Sequence, residues 1–298
     1  MNSFSFNRYG KTLRWVLSVN FRTLLLWTIG AALVVFLGEL LTMKLEDVTD
    51  PYNMINEYAA LGCMLLVIAS LVLISSIVIS INNKRRREAF LMLPSTNLEK
   101  FLSLVTYTTI IGIACVILAI VLGDSLRMFW FWASGYSHEM MGTTIPTRHN
   151  GEIYYWYSSA FPKIVDSFLT PATFPDFECP MEFIVWQALL TTLGLLWLHS
   201  LYTLGGTFLR KYAFVGTTLL LVFCVSVVAK LQGVLHLSTL HIQYNEGNLE
   251  YYTIGTLTYI LCVLFLLLTV FNYWASFRIF KGFQLISNKW TNYDILKR

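Results

Sequence analysis

Six stretches of this chain run for 18 residues or more almost without a charged side chain, and their spacing decides the class of fold before any motif is considered. Residues 58–82 and 101–123 contain no Asp, Glu, Lys or Arg at all. About 20 apolar residues in a helix cross the roughly 30 Å hydrocarbon layer of a bilayer. Within that layer every backbone donor and acceptor has to be satisfied inside the protein, which favours helices. The runs at 23–41, 58–82, 101–123, 183–209, 212–229 and 251–277 therefore predict six transmembrane helices. With 56% hydrophobic and 13% charged residues, the 298-residue chain reads as an all-α integral membrane protein with no room for a large soluble domain. The apolar run starts late and no small-residue cleavage site follows it, so no cleavable signal peptide is expected.

The charges sort by side. Six spans place both termini, the loop at 82–101 and the Arg210-Lys211 turn together, and that side collects 16 of the 21 basic residues. The opposite side holds 14 of the 17 acids. Basic residues are retained on the cytoplasmic face, so the termini are expected there, in a multi-pass protein of the plasma or inner membrane. Adding or removing one span would scramble this separation. Residues 1–22 form a unit of their own: on a helical wheel Arg8, Lys11, Arg14 and Arg22 take one side and Phe6, Tyr9, Leu13, Val16 and Leu17 the other. That predicts an amphipathic interfacial helix whose basic face meets anionic lipid headgroups.

The loop between the second and third spans carries the most information. Lys84, Arg85, Arg86 and Arg87 are consecutive, and Glu88 follows them. Next comes a short apolar block, Phe90, Leu91, Met92 and Leu93, stopped by Pro94, which cannot continue a helix. Thr96 and Glu99 have the spacing of a capping box, so a new helix is expected to start there. The result is a small helix outside the membrane that either lies on the bilayer surface or docks a soluble partner.

The run Leu91-Met92-Leu93-Pro94-Ser95, with Glu99-Lys100-Phe101 after it, resembles the loop between the second and third spans of ABC-2 type transporter permeases. The order of elements is similar too: amphipathic entry helix, two spans, loop, two spans, basic turn, two spans. The resemblance implies that the loop is a cytoplasmic coupling helix seated on a separate ABC ATPase subunit, where ATP is hydrolysed. A second permease chain would enclose the path. It implies that Phe90, Leu91, Met92 and Leu93 touch the ATPase, that Pro94 fixes the helix exit, that Arg85, Arg86 and Arg87 set the orientation and can pair with acids on the partner, and that closure of the ATPase pushes on the helix from Glu88 to Leu93. It also makes residues 231–250 compatible with a re-entrant hairpin before the last span.

The remaining polar residues offer less. Glu39 lies near Lys44, Glu46 and Asp47 and reads as an acid at the end of the first span. Segment 124–182 holds five of the seven prolines and thirteen aromatics, among them Phe129-Trp130-Phe131-Trp132, and predicts an interfacial or re-entrant piece at 128–138. Its aromatics form either a belt at headgroup level or a lid over an apolar substrate. His199 is expected to bond a neighbouring helix, and His236 and His241 lack partners at metal-ligand spacing. Gly10-Lys11-Thr12 ends like a phosphate-binding loop, but Phe6 stands where its first glycine belongs. No catalytic constellation, cofactor or nucleic-acid partner is indicated. Two other classes stay open: a scaffold or sensor partner using the same loop, and a bilayer enzyme built on His138, His149, Asp166 and Glu178.

Overall fold

A computed structural model describes residues 4–45, 51–78, 81, 84–134, 147–149, 152–154, 158–169, 181–209, 212–235, 240–244 and 250–282. Its helices are α1 (Phe6–Leu45), α2 (Pro51–Ser75), α3 (Lys84–Leu91), α4 (Asn97–Thr106), α5 (Gly112–Ala133), α6 (Phe161–Leu169), α7 (Met181–Phe208), α8 (Ala213–Leu235) and α9 (Thr256–Lys281). Six helical stretches are long and apolar enough to cross a membrane, as the apolar runs predict, and the chain is a multi-pass membrane protein. Two short antiparallel hairpins accompany them: β1 (Thr147–His149) with β2 (Glu152–Tyr154), and β3 (Leu240–Tyr244) with β4 (Glu250–Ile254).

Several boundaries differ from those read in the sequence. Residues 6–22 are not set off from the first span; they continue into it as one helix of 40 residues, about 60 Å long at 1.5 Å per residue. No Gly or Pro lies between Gly10 and Gly30, so nothing in the sequence stops the helix at residue 22. The second span starts earlier, at Pro51, and ends earlier, at Ser75. Its end is local chemistry: the Ser75 and Ser76 hydroxyls donate to the Val72 and Leu73 carbonyls at 2.8 and 2.7 Å, competing with the helical ladder. The third span begins at Asn97 and runs past Gly123 to Ala133, so Asp124 to Trp132 are helical and not a re-entrant piece. A π turn, Tyr107–Ile111, interrupts it where the Thr108 hydroxyl donates into the Leu104 and Val105 carbonyls. The fifth span, Ala213–Lys230, matches the run read from the sequence, and its helix α8 continues to Leu235; β3 and β4, at described residues 240–244 and 250–254, form a β-hairpin before the sixth.

The chain divides into two compact units. One comprises Met1–Val16, Leu71–Thr108 and Pro171–Arg298. Its core is the pairing of α7 with α9, where Trp197 stacks on Phe265 at 4.9 Å and Trp186 meets Tyr259 edge-on at 4.6 Å. Polar contacts fix the same seam: Asn272 Nδ2 donates to Ser200 Oγ at 3.1 Å, and Tyr273 Oη bonds His199 Nδ1 at 2.5 Å, the interhelical partner expected for that imidazole. Gly206 lies so close to the Ser75 carbonyl that a Cβ would sit 2.5 Å from its oxygen.

The other unit, Leu17–Ser70 with Thr109–Thr170, gathers parts of α1 and α2 with α5 and α6. Met54, Ile55, Tyr58 and Ala160 form its buried apolar cluster. An apolar cleft of about 490 Å³ runs between α1, α2 and α5, lined by Leu26, Gly30, Val34, Leu65, Val116 and Ala119 among others. At Gly123 the α5 backbone touches α1: a Cβ there would lie 2.7 Å from Val35 and 2.8 Å from the Ala32 carbonyl oxygen. Gly123→Ala is expected to cost about 1–2 kcal/mol of stability, because the backbones have to move apart. Gly10, where an added methyl would meet nothing within 4 Å, is the control. Gly10→Ala removes chain entropy from the unfolded state and is expected to stabilise by about 0.5–1 kcal/mol. Thermal unfolding of both variants in lipid nanodiscs checks the opposite signs.

Candidate functional site

The loop between the second and third spans is a mounted element. Helix α3 covers eight residues and ends as Met92 N donates to Glu88 O at 3.0 Å and Ser95 N to Leu93 O at 2.8 Å. Lys100 Nζ reaches back to the Leu91 carbonyl at 2.8 Å, placing a cation on the negative end of α3. Thr96 and Glu99 form the capping box read from their spacing: Glu99 N donates to Thr96 Oγ1 at 3.3 Å and Thr96 N to Glu99 Oε2 at 2.8 Å.

Glu99 does more than cap α4. Its Oε1 also accepts from Ser5 N at 2.8 Å and from Arg8 Nη2 at 2.9 Å, so the start of α1 is tied to the start of α4 through one buried carboxylate. Arg8 Nε lies within 3.3 Å of both its oxygens. Tyr9 Oη bonds Thr106 Oγ1 at 2.7 Å, two turns further along α4. The apolar counterpart is an aromatic knot: Phe90 packs between Trp15 and Phe280, and Phe101 packs on Phe277 and Phe280.

This mounting sorts the residues that the sequence grouped together. Phe90 is 0% exposed, so its ring faces the interior of the chain rather than a partner. Arg87, three residues before it on the same helical face, is buried as well. Arg85 and Arg86 point outward, Glu88, Leu91 and Leu93 are half-buried, and Pro94 is exposed. Met92 is 86% exposed, the most open of the large apolar side chains described. The outward surface is therefore two guanidinium groups, a thioether and a proline ring, held from behind by Phe90, Glu99 and Lys100.

A second cluster was not legible in the sequence. Arg127 on α5 donates Nε to Glu39 Oε2 on α1 at 3.1 Å, and Nη2 to Asp124 Oδ1 at 2.5 Å and to the Ser158 carbonyl at 2.8 Å. Asp124 Oδ2 accepts from Ser159 Oγ at 2.5 Å and from Ala160 N at 3.1 Å. The Tyr58 ring lies under the guanidinium, 4.6 Å from centroid to Cζ. Glu39 is thus a partner in a buried ion cluster and not a solvated acid at the end of a span; its relative exposure is 1%. The signal that could have found it was Asp124-x-x-Arg127, a pair at helical spacing that continues the third span beyond Gly123.

Other expected sites fare variously. Gly10-Lys11-Thr12 lies inside α1 with Thr12 Oγ1 bonded to the Arg8 carbonyl, a helical setting without a phosphate loop. Asp166 is exposed on α6; His138 and Glu178 lie outside the described residues, as does the side chain of His149. Arg210, Lys211, His236 and the basic tail beyond residue 282 also lie outside them. Among the described residues, no three His, Cys, Asp or Glu side chains gather as a metal site. No family model matches the chain, and no curated protein or solved structure matches it.

Proposed function

We propose that the chain is the transmembrane permease subunit of an ATP-driven exporter of the ABC-2 type, and that α3 with the turn after it is the coupling helix. The observation that carries this reading is the mounted, exposed tip: Met92 stands out while Phe90 and Lys100 fix the helix behind it. A segment that only rests in headgroups has no need of such a backing. One that receives force from a partner does, because a loosely held tip would absorb the push. In this reading ATP is hydrolysed on a separate cytoplasmic ABC ATPase, and a second permease chain completes the path. Closure of the ATPase pair moves α3 and, with it, the helices to which it is bonded.

The partner surface then has a definite chemistry: an apolar pocket for Met92 with acidic groups near Arg85 and Arg86. Met92→Asp puts a charge into that pocket and is expected to weaken association with the ATPase on the order of tenfold. Co-purification from mild detergent measures it, with Arg85→Glu/Arg86→Glu as a second disruption and Leu91→Asp/Leu93→Asp as a third. Unchanged recovery of the ATPase with all three sets would refute docking at this tip and favour a scaffold role.

A further inference from the structure

Glu39, Asp124 and Arg127 bring two carboxyl groups to one guanidinium at a place where none of the three is more than 2% exposed. Fully ionised, they would carry one negative charge in excess. Among the described residues, Arg127 is the one cation that bonds either carboxyl. A buried charge without compensation is costly, and neutralisation is the usual escape. The hydrogen bonds distinguish the two acids. Asp124 accepts at both oxygens, from Arg127, Ser159 Oγ and Ala160 N, a set of donors that suits the charged form. Among the described residues Glu39 receives only Arg127 Nε, through Oε2, and its Oε1 has no donor. On the same guanidinium lies Tyr58, 2% exposed, whose hydroxyl is buried without a hydrogen-bond partner among the described residues.

We propose that this cluster is a proton-binding site: one exchangeable proton resides on Glu39 Oε1, while Asp124 and Arg127 persist as the ion pair. The groups that face it are Glu39 from α1, Tyr58 from α2 and Asp124, Arg127 and Phe131 from α5. The segment before α6 adds only the Ser158 carbonyl, the Ser159 hydroxyl and the Ala160 amide. Lys163 on α6 is placed over the Tyr52 ring at 5.2 Å. Neutral Glu39 lets the three helices close on the cluster, and loss of the proton would restore the excess charge and loosen that closure. The contacts that hold the proton are independent of whether an ATPase docks elsewhere on the chain.

The test uses the full chain in lipid nanodiscs. Infrared spectra at neutral pH should show the carbonyl stretch of a protonated carboxyl that fades on alkaline titration and is missing in Glu39→Gln. In parallel, Glu39→Gln should melt with the unmodified chain at neutral pH and lose the alkaline decline in stability, whereas Asp124→Asn should melt earlier at both. Absence of that band, or a Glu39→Gln variant as unstable as Asp124→Asn, would overturn the proposal. So would a melting temperature that follows sodium or potassium concentration at fixed ionic strength, since a metal cation would then balance the charge.

Discussion

An Arg127→Met variant is expected to be less stable than the unmodified chain by about 3–5 kcal/mol, the usual cost of removing one partner from a buried ionic network. The geometry explains the size. The guanidinium serves Glu39, Asp124 and the Ser158 carbonyl at once, and all three would lose a donor, the two carboxyl groups where they are almost fully buried. Methionine fills much of the volume, so the loss would reflect electrostatics and hydrogen bonding rather than a cavity. Arg127→Lys keeps the charge but not the planar fork, and is expected to fall between the two. Arg86→Met, on the exposed side of α3, is the matched control and should remain within about 0.5 kcal/mol. Unfolding in nanodiscs, followed by helicity, measures all three.

Replacing Glu99 should detach the start of α1 from the loop it supports. Glu99→Ala removes the capping box of α4, together with the acceptor for Ser5 N and Arg8. Loss of the cap contributes about 1 kcal/mol. The Arg8 pair adds little, because the Arg8 side chain is 34% exposed and screened by solvent. With the half-buried Ser5 amide left without its acceptor, the total is about 2–3 kcal/mol. Glu99→Gln preserves the box, since Gln also caps at this position, and should cost about half as much. Hydrogen exchange locates the effect: faster exchange at residues 5–9 and 96–100, with α7 and α9 unchanged. In a coupled permease the same variant would continue to bind the ATPase through Met92 yet transmit its closure poorly, separating ATP hydrolysis from transport.

What the sequence reveals follows from the range of the forces involved. Apolar length is a local property, and six spans follow from it. The Thr96 and Glu99 box is equally local, because donor and acceptor are three residues apart. The amphipathic start of α1 could be read as a pattern but not as a boundary, since the decision to continue the helix at residue 22 depends on the absence of a stop signal rather than on a positive one. Phe90 shows a different limit. Taken as one apolar block with Leu91, Met92 and Leu93 it faces a partner, but the helical period divides the block, and Trp15 and Phe280 supply the cover that no local pattern announces. The ion cluster lies furthest from view. Glu39 and Arg127 are 88 residues apart, and each read alone looks like a boundary charge.

That separation along the chain bears on how the protein is made. Glu39 leaves the ribosome long before Arg127, so α1 has to enter the translocon with its acid unaccompanied, at a cost approaching about 2.5–3.5 kcal/mol if held at full depth and charged. Asp124 and Arg127 arrive on a single helix, already offsetting one another at three residues' spacing. The first helix is therefore expected to settle into its final register only once α5 brings Arg127 to Glu39.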